Sequence, residues 1–296
     1  MLITISLFLG AIALAVVSSL TFFPVQYGYD FYKPILMFLA GYIGGIVIWW
    51  ILIWLFGRFV NTNINKPKQS AWSRFWMYDG CKFLMFHAGI ILKVTGKYKL
   101  PKTKYLLVCN HRSNFDPLTL MAALHREKFA FVTKASNYKI PLFTQFMKGL
   151  NFMPVDRTNH LQSLEMFKRG TEMLQNGVCN VVVYPEGTRQ TSDVIGPFHE
   201  GVFNIAMHAR VPIVVATTKG TETVQHNFFR RFSKVRIDIL GVYNYEDYRA
   251  MTAKSLSDKI HNIMEEHLER IDVQEYVEKY NETKHRRSNY FSRGTF

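Results

Sequence analysis

A histidine and an aspartate stand five residues apart in Asn110-His111-Arg112-Ser113-Asn114-Phe115-Asp116-Pro117, directly after the short apolar run 105–109. A neutral imidazole, titrating at about pH 6.5, can take a proton from an alcohol, and a carboxylate that fixes its tautomer steadies the imidazolium that forms. His111 is therefore a candidate general base and Asp116 its orienting partner. Pro117 suits the first turn of a helix, so the pattern predicts a strand, a tight loop and a helix beginning near Asp116. A plain turn, with Asp116 as a helix cap and His111 as an ordinary loop residue, would use the same residues.

Two further clusters carry groups suited to anions. Asn151-Phe152-Met153-Pro154-Val155-Asp156-Arg157 follows Lys134 and Lys139, and Arg157 offers the planar fork of donors that fits a phosphate. The other is Val181-Val182-Val183-Tyr184-Pro185-Glu186-Gly187-Thr188-Arg189, an apolar run that stops at a proline. There Gly187 permits close backbone approach, Thr188 supplies a hydroxyl and Arg189 a second anion donor. Glu186 is expected to pair with, and so aim, one of the arginines. Alone, Asp156-Arg157 also reads as a surface turn, and Glu186 as an ordinary salt-bridge partner.

These groups need elements to hold them. Apolar strand candidates lie at 105–109, 129–133, 181–184, 212–217 and 235–240, and between them lie helix candidates such as 161–175, which stops at Asn176-Gly177. Strands alternating with helices predict an α/β fold with a largely parallel central sheet flanked by helices. A last helix is expected over 253–271, followed by a charged tail, 273–296, without stable structure. Residues 72–92 show apolar residues near helical spacing, among them Trp72, Phe75, Trp76, Phe83, Phe86 and Ile90. That pattern fits a core helix, an interfacial aromatic helix, or both at once.

Charge is distributed unevenly. Residues 1–57 hold only Asp30 and Lys33, leaving 35 Lys and Arg against 21 Asp and Glu to carry the net charge of +14. A basic body attracts nucleic acid, an anionic membrane leaflet or an acidic substrate. The uncharged runs 2–23 and 34–57 each exceed the roughly 20 residues that cross a hydrocarbon core, which predicts an N-terminal transmembrane hairpin. A cleaved signal peptide fits less well, since no Lys or Arg precedes the first run. Arg58, Lys66, Lys68 and Arg74 follow the second run while the connecting loop offers only Lys33, so the body is expected on the cytoplasmic face of an integral membrane protein. Cys81, Cys109 and Cys179 have no metal-like spacing and suit a reducing compartment. No metal site is expected.

Taken together, Asn110-His111 with Asp116, the stretch 152–157, Tyr184-Pro185-Glu186-Gly187-Thr188-Arg189 and Val211-Pro212-Ile213-Val214 resemble, in order and spacing, the four blocks of the glycerolipid acyltransferases. The resemblance is closest to the 1-acylglycerol-3-phosphate (lysophosphatidic acid) acyltransferases and covers roughly 97–238. It implies that His111 is the base, that Asp116 orients it, and that Arg157, Glu186, Gly187 and Arg189 bind the acyl acceptor and its phosphate; Thr188 and Lys134 stand beside them as substrate-binding candidates by residue type. The implied reaction moves a fatty acyl group from acyl-CoA or acyl carrier protein, a cosubstrate rather than a bound cofactor, to the sn-2 hydroxyl of the acceptor. Another acceptor remains open: glycerol-3-phosphate, a different lysophospholipid, or an amine-linked lyso-lipid. Two positions depart from the family: Tyr184 where many members have Phe, and His199 in Phe198-His199-Glu200-Gly201 where lysine is usual.

The chain divides into an anchor (1–57), a linker with the aromatic helix (58–96), an acyltransferase domain (97–272) and a tail (273–296). Partners implied are membrane lipids, the lysophospholipid acceptor and the acyl donor. A nucleic-acid-binding module would use the basic surface but leaves the hairpin and the His111/Asp116 spacing unexplained. A membrane scaffold leaves the blocks unexplained. A metal-dependent hydrolase lacks ligand spacing. No Gly-x-Ser-x-Gly elbow precedes the site, so direct transfer is expected rather than a covalent acyl-enzyme.

Overall fold

The computed structural model describes residues 2–21, 30, 32–60, 68–140, 143–156, 160–190, 194–228 and 230–292, with 160 and 275–292 as backbone alone. Two apolar helices come first, α1 (Leu2–Thr21) and α2 (Tyr32–Gly57), each long and apolar enough to cross a membrane. They pack closely because glycines face α1: a Cβ on Gly41 would lie 2.8 Å from the Leu14 side chain, and one on Gly45 would lie 2.7 Å from that of Leu7. Gly41 and Gly45 form a small-xxx-small pair, the device that lets two helices approach where lipid offers no hydrophobic drive.

Helix α3 (Ala71–His87) joins this hairpin to the body. Ser70 caps it, accepting from Ser73 N at 3.1 Å. Met77, Tyr78, Cys81, Phe83 and Met85 are buried in it, while Trp72, Phe75 and Phe86 stay exposed. It lies along α2, with Trp72 against Phe56, Phe83 against Trp49 and His87 against Tyr42. The buried Asp79 accepts the backbone N–H of Ile3 at 3.0 Å, which satisfies a donor at the start of α1. The core reading of 72–92 therefore holds for one face of the helix. The helix ends five residues early, at His87, because Gly89 takes a left-handed φ of 64° and turns the chain into a strand.

The body follows in order: β1 (Ile90–Thr95), β2 (Leu106–Cys109), α4 (Asp116–Ala123), β3 (Phe129–Lys134), α5 (Phe143–Gly149), β4 (Met153–Val155), α6 (His160–Gln175), β5 (Asn180–Val183), α7 (Asn204–Ala209), β6 (Ile213–Lys219), α8 (Val224–Asn227), β7 (Ser233–Tyr243), α9 (Tyr245–Tyr248) and α10 (Ala253–Ser292). Among the described residues the seven strands make one sheet in the order β1-β7-β6-β2-β5-β3-β4, and only the β6–β7 pairing is antiparallel. The fold is thus α/β with a largely parallel sheet. Sequence reading missed β1 and β4. The first alternates along an edge and was absorbed into the preceding helix; the second is three residues centred on Pro154, tolerable only at an edge.

Successive strand residues point to opposite cores. Leu107, Cys109, Val182, Val214 and Ala216 face the core shared with α3, α4, α5 and the hairpin. Leu106, Val108, Val181, Val183, Ile213 and Val215 face the core under α6, α7 and α10. Burial on both faces is why these strands read as unbroken apolar runs. Burying a Val or Leu side chain in this way contributes roughly 1.5–3 kcal/mol each. The expected tail needs correction: α10 continues to Ser292, since no glycine or proline interrupts the chain between Ala253 and Ser292. The linker residues 61–67 lie outside the described residues.

Candidate active site

Strand β2 is the centre of the sheet; the chain leaves it toward β3 on one side, whereas it leaves the neighbouring β6 toward β7 on the other. Such a reversal opens a crevice at the carboxyl ends of the strands, which is where His111 emerges. Asn110 closes the gap between β2 and β6 as a side chain imitating a strand: its Nδ2 donates to Thr218 O at 2.9 Å and its Oδ1 accepts from Thr218 N at 2.7 Å. The residue is 1% exposed.

His111 Nδ1 lies 2.8 Å from Asp116 Oδ2. A carboxylate can only accept, so Nδ1 carries the hydrogen and Nε2 is left as the basic nitrogen. The imidazole is 18% exposed and the aspartate 0%, which leaves the ring facing the crevice and its partner sealed away from water. Asp116 Oδ2 also accepts the backbone N–H of Arg112 at 2.7 Å and of Ser113 at 2.8 Å, while Oδ1 accepts from the Thr221 hydroxyl. Asp116 is therefore inside α4, after the cap residue Phe115, with its carboxylate turned back onto the loop that carries His111. Capping the loop and orienting the imidazole do not compete: one oxygen does both.

The Tyr184–Arg189 stretch wraps this loop. Tyr184 stacks on the imidazole, ring centroids 4.3 Å apart and planes inclined by 22°. Glu186 does not serve chiefly as an arginine's partner. Its Oε1 accepts the N–H of His111 at 2.7 Å and its Oε2 accepts that of Gly196 at 3.0 Å, so it clamps two loops together. Burial pushes its carboxyl above the usual carboxylate range, and the two amide donors pull it partly back. Gly187 has φ 68°, a left-handed conformation that closes the turn through its N–H to Tyr184 O. Gln190 N donates to His111 O at 2.9 Å, fastening the far end of the loop to the same residue.

The amides of His111, Arg112, Ser113, Phe115 and Asp116 are all committed, to Glu186, to Asp116 twice, and to Ser113 twice. None of them is spare to stabilise a developing oxyanion. Thr188 and Arg189 are exposed in the neighbouring loop, and His199, also exposed, is pinned to it by His199 N donating to Pro185 O at 2.8 Å. Lys134 ends β3 two strands away and is exposed. Arg157 lies outside the described residues. Val211-Pro212-Ile213-Val214 sits at the opposite end of the sheet, where Pro212 O accepts Leu106 N at 3.0 Å, so this block sets the register of β6 on β2 rather than touching His111. A cleft of 640 Å³ lined by Lys102, Lys104, Arg210 and Tyr245 opens at that remote end as well. Thr221, Thr218 and the clamp role of Glu186 were invisible to sequence reading, since partners more than 70 residues apart leave no local signal.

Among the described residues no group of three or more His, Cys, Asp or Glu could hold a metal ion. The three cysteines are buried and free.

Residues 91–219 match the acyltransferase family. A probable 1-acyl-sn-glycerol-3-phosphate acyltransferase of Mycoplasma pneumoniae is 30% identical over 53% of this chain and 59% of its own length. A chloroplastic 1-acyl-sn-glycerol-3-phosphate acyltransferase of Brassica napus is 32% identical over 55% of this chain and 44% of its own, and the yeast enzyme of that name 27% identical over 55% and 54%. The chain thus spans about half the length of the curated relatives it matches. The crystal structure of the 1-acyl-sn-glycerophosphate (LPA) acyltransferase of Thermotoga maritima shares the fold, with a TM-score of 0.60 at 20% identity over 77% of this chain and 92% of that one.

Proposed function

We infer, from the premise that residues 91–219 are an acyltransferase-family domain, that this protein acylates the sn-2 hydroxyl of 1-acylglycerol-3-phosphate to give phosphatidic acid. The observation that carries the reading is the His111 Nδ1 to Asp116 Oδ2 bond of 2.8 Å, with Nε2 toward the crevice. Nε2 takes the proton of the acceptor hydroxyl as its oxygen attacks the thioester carbonyl. The carbon–sulfur bond then breaks, and the thiolate leaves and recovers the proton from the imidazolium. Products are the ester and the free thiol, and the imidazole returns to its starting state. The tetrahedral oxygen is negative in between and must be met by donors other than the engaged amides of His111, Arg112, Ser113, Phe115 and Asp116.

The acceptor's phosphate is assigned to the exposed Thr188 and Arg189, with Gly187 giving backbone access; Arg157 and Lys134 are kept as further cations for the acceptor on the strength of the sequence alone. Glu186 acts one step back, by holding the His111 loop. The thioester is carried by coenzyme A or acyl carrier protein. The hairpin is embedded in the bilayer, with the body on the cytoplasmic face, so that a lipid acceptor and product reach the site without leaving the membrane.

The test is an acyl-transfer assay of the purified full chain in lipid vesicles, crossing acceptors with acyl-CoA and acyl-carrier-protein donors. Phosphatidic acid from 1-acylglycerol-3-phosphate is the expected dominant product. Faster acylation of glycerol-3-phosphate or an amine-linked lyso-lipid would move the assignment to that acceptor, and no consumption of any thioester would end it.

A further inference from the structure

The segment between α8 and β7 reads Asn227-Phe228-Phe229-Arg230-Arg231-Phe232-Ser233-Lys234, with no acidic residue from Asn227 to Ile237. Strand β7 runs antiparallel to β6, so it starts at the end of the sheet where β2 and β6 finish, and this loop shares that end with His111. The described part is tied down. Arg230 N and Arg231 N donate to Asn227 O at 2.8 and 3.0 Å, Asn227 Nδ2 donates to Ser233 Oγ at 3.1 Å, and Ser233 N donates to Gly89 O at 3.0 Å.

Two of its aromatics have different surroundings. Phe228 is half-buried beside Phe115 of the His111 loop, ring centroids 6.4 Å apart. Phe232 is 76% exposed, yet it lies over Gly89, where a Cβ would come within 3.2 Å of its ring. A single exposed phenylalanine would mean nothing, but this one does not stand alone. Phe86, three residues before Gly89, is also exposed, and its ring meets that of Phe8 in α1 edge-on at 6.2 Å. The apolar hairpin thus meets Phe86, Gly89 N donates to Phe86 O at 3.2 Å, and Phe232 lies over Gly89, flanked by the exposed Arg230, Arg231 and Lys234.

We propose that Phe228 and residues 230–234 form a second membrane contact, in which Phe232 enters the headgroup region of the bilayer and Arg230 and Arg231 engage anionic lipid phosphates. An aromatic ring at headgroup level with cations beside it is the chemistry of an interfacial anchor. Through Phe228 and Phe115 the same loop steadies the His111 turn against the surface that supplies the acceptor. The inference rests on the reading of the hairpin as bilayer-embedded, so its test separates the two.

Because Cys81, Cys109 and Cys179 are buried, a thiol introduced at the surface takes an environment-sensitive fluorophore selectively. Full-length protein carrying the probe at Phe232→Cys, at Leu36→Cys in the hairpin, or at Lys102→Cys at the opposite end of the sheet is reconstituted into phosphatidylcholine vesicles with and without phosphatidylglycerol. Emission is read with and without spin-labelled lipid. Expected are quenching at 36 and 232 but not at 102, and stronger quenching at 232 with phosphatidylglycerol, an increment that Arg230→Glu with Arg231→Glu removes. Quenching at 36 with an aqueous, unquenched probe at 232 overturns this inference alone. An unquenched probe at 36 overturns the embedded hairpin, and this inference with it. Quenching at 232 that ignores both lipid charge and the arginine substitutions overturns the role given to the two arginines.

Discussion

Asp116 concentrates more of the site's chemistry than any other side chain, because four donors converge on its two oxygens in a place without water. Asparagine would keep one acceptor oxygen and turn an N–H toward donors, leaving at least one buried donor unpaired at about 1–3 kcal/mol each. Asp116→Asn should therefore lower kcat about a hundredfold and also lower the unfolding temperature in detergent; a stable, fully active variant would remove Asp116 from the mechanism. Tyr184 makes a narrower prediction. Its ring, not its hydroxyl, meets His111, and that hydroxyl is buried without a partner. Tyr184→Phe should keep kcat within about twofold, whereas Tyr184→Leu should lose kcat with little change in KM, since a tilted imidazole harms proton transfer rather than binding. Equal kcat losses in both would shift the role to the hydroxyl. Arg189 is exposed beside the His111 loop, so Arg189→Ala should chiefly raise the KM for the acceptor, by roughly tenfold if one charge-assisted contact is lost. An unchanged KM would take Arg189 out of the acceptor site.

Elements were legible in proportion to how completely they are buried. The central strands stand out in sequence because both their faces meet a core; the edge strands β1 and β4 do not, for lack of that constraint. Helix α3 was read in kind but not in length, since the left-handed turn at Gly89 is one residue in a stretch that otherwise keeps helical spacing. The packing of α10 onto β7 was not legible at all. Asp238, 2% exposed on β7, accepts from Thr95, from Arg236 and from His267 of α10 at 3.0 Å. Burial pushes its carboxyl up, but the donors from His267, Thr95 and Arg236 outweigh it and hold it at about 2, against an ordinary 3.8. The stabilisation is thus present above about pH 4 and lost as the pH falls through the folded value, and the gap corresponds to about 2 kcal/mol. Thermal unfolding of Asp238→Asn should lie below that of the parent at pH 7, with the difference shrinking below about pH 4 and largely gone only at about pH 2. A difference independent of pH would mean that the cluster contributes packing rather than charge.

At the scale of the whole molecule, a hairpin whose charges are only Asp30 and Lys33 joins a basic body, and the crevice holding His111 opens at the carboxyl ends of the parallel strands. Composition and the ordered blocks around His111, Phe152, Tyr184 and Val211 foreshadowed this division. What they left out was how the site is held: Asn110 and Thr218 bridge strands 108 residues apart in sequence, and Thr221 reaches Asp116 across 105. Such contacts follow from the strand order, which no local pattern announces. His111, so held, is the residue we propose as the base of an acyl transfer at a membrane. The most direct measurement compares the full chain with His111→Ala, both reconstituted in vesicles, for phosphatidic acid formed from 1-acylglycerol-3-phosphate and an acyl thioester, with thermal unfolding followed in parallel. Loss of general-base help predicts a rate lower by roughly a hundred- to ten-thousand-fold, with unfolding unchanged. Retention of more than about a tenth of the parent rate in a folded variant, a loss under 1.4 kcal/mol, would contradict it.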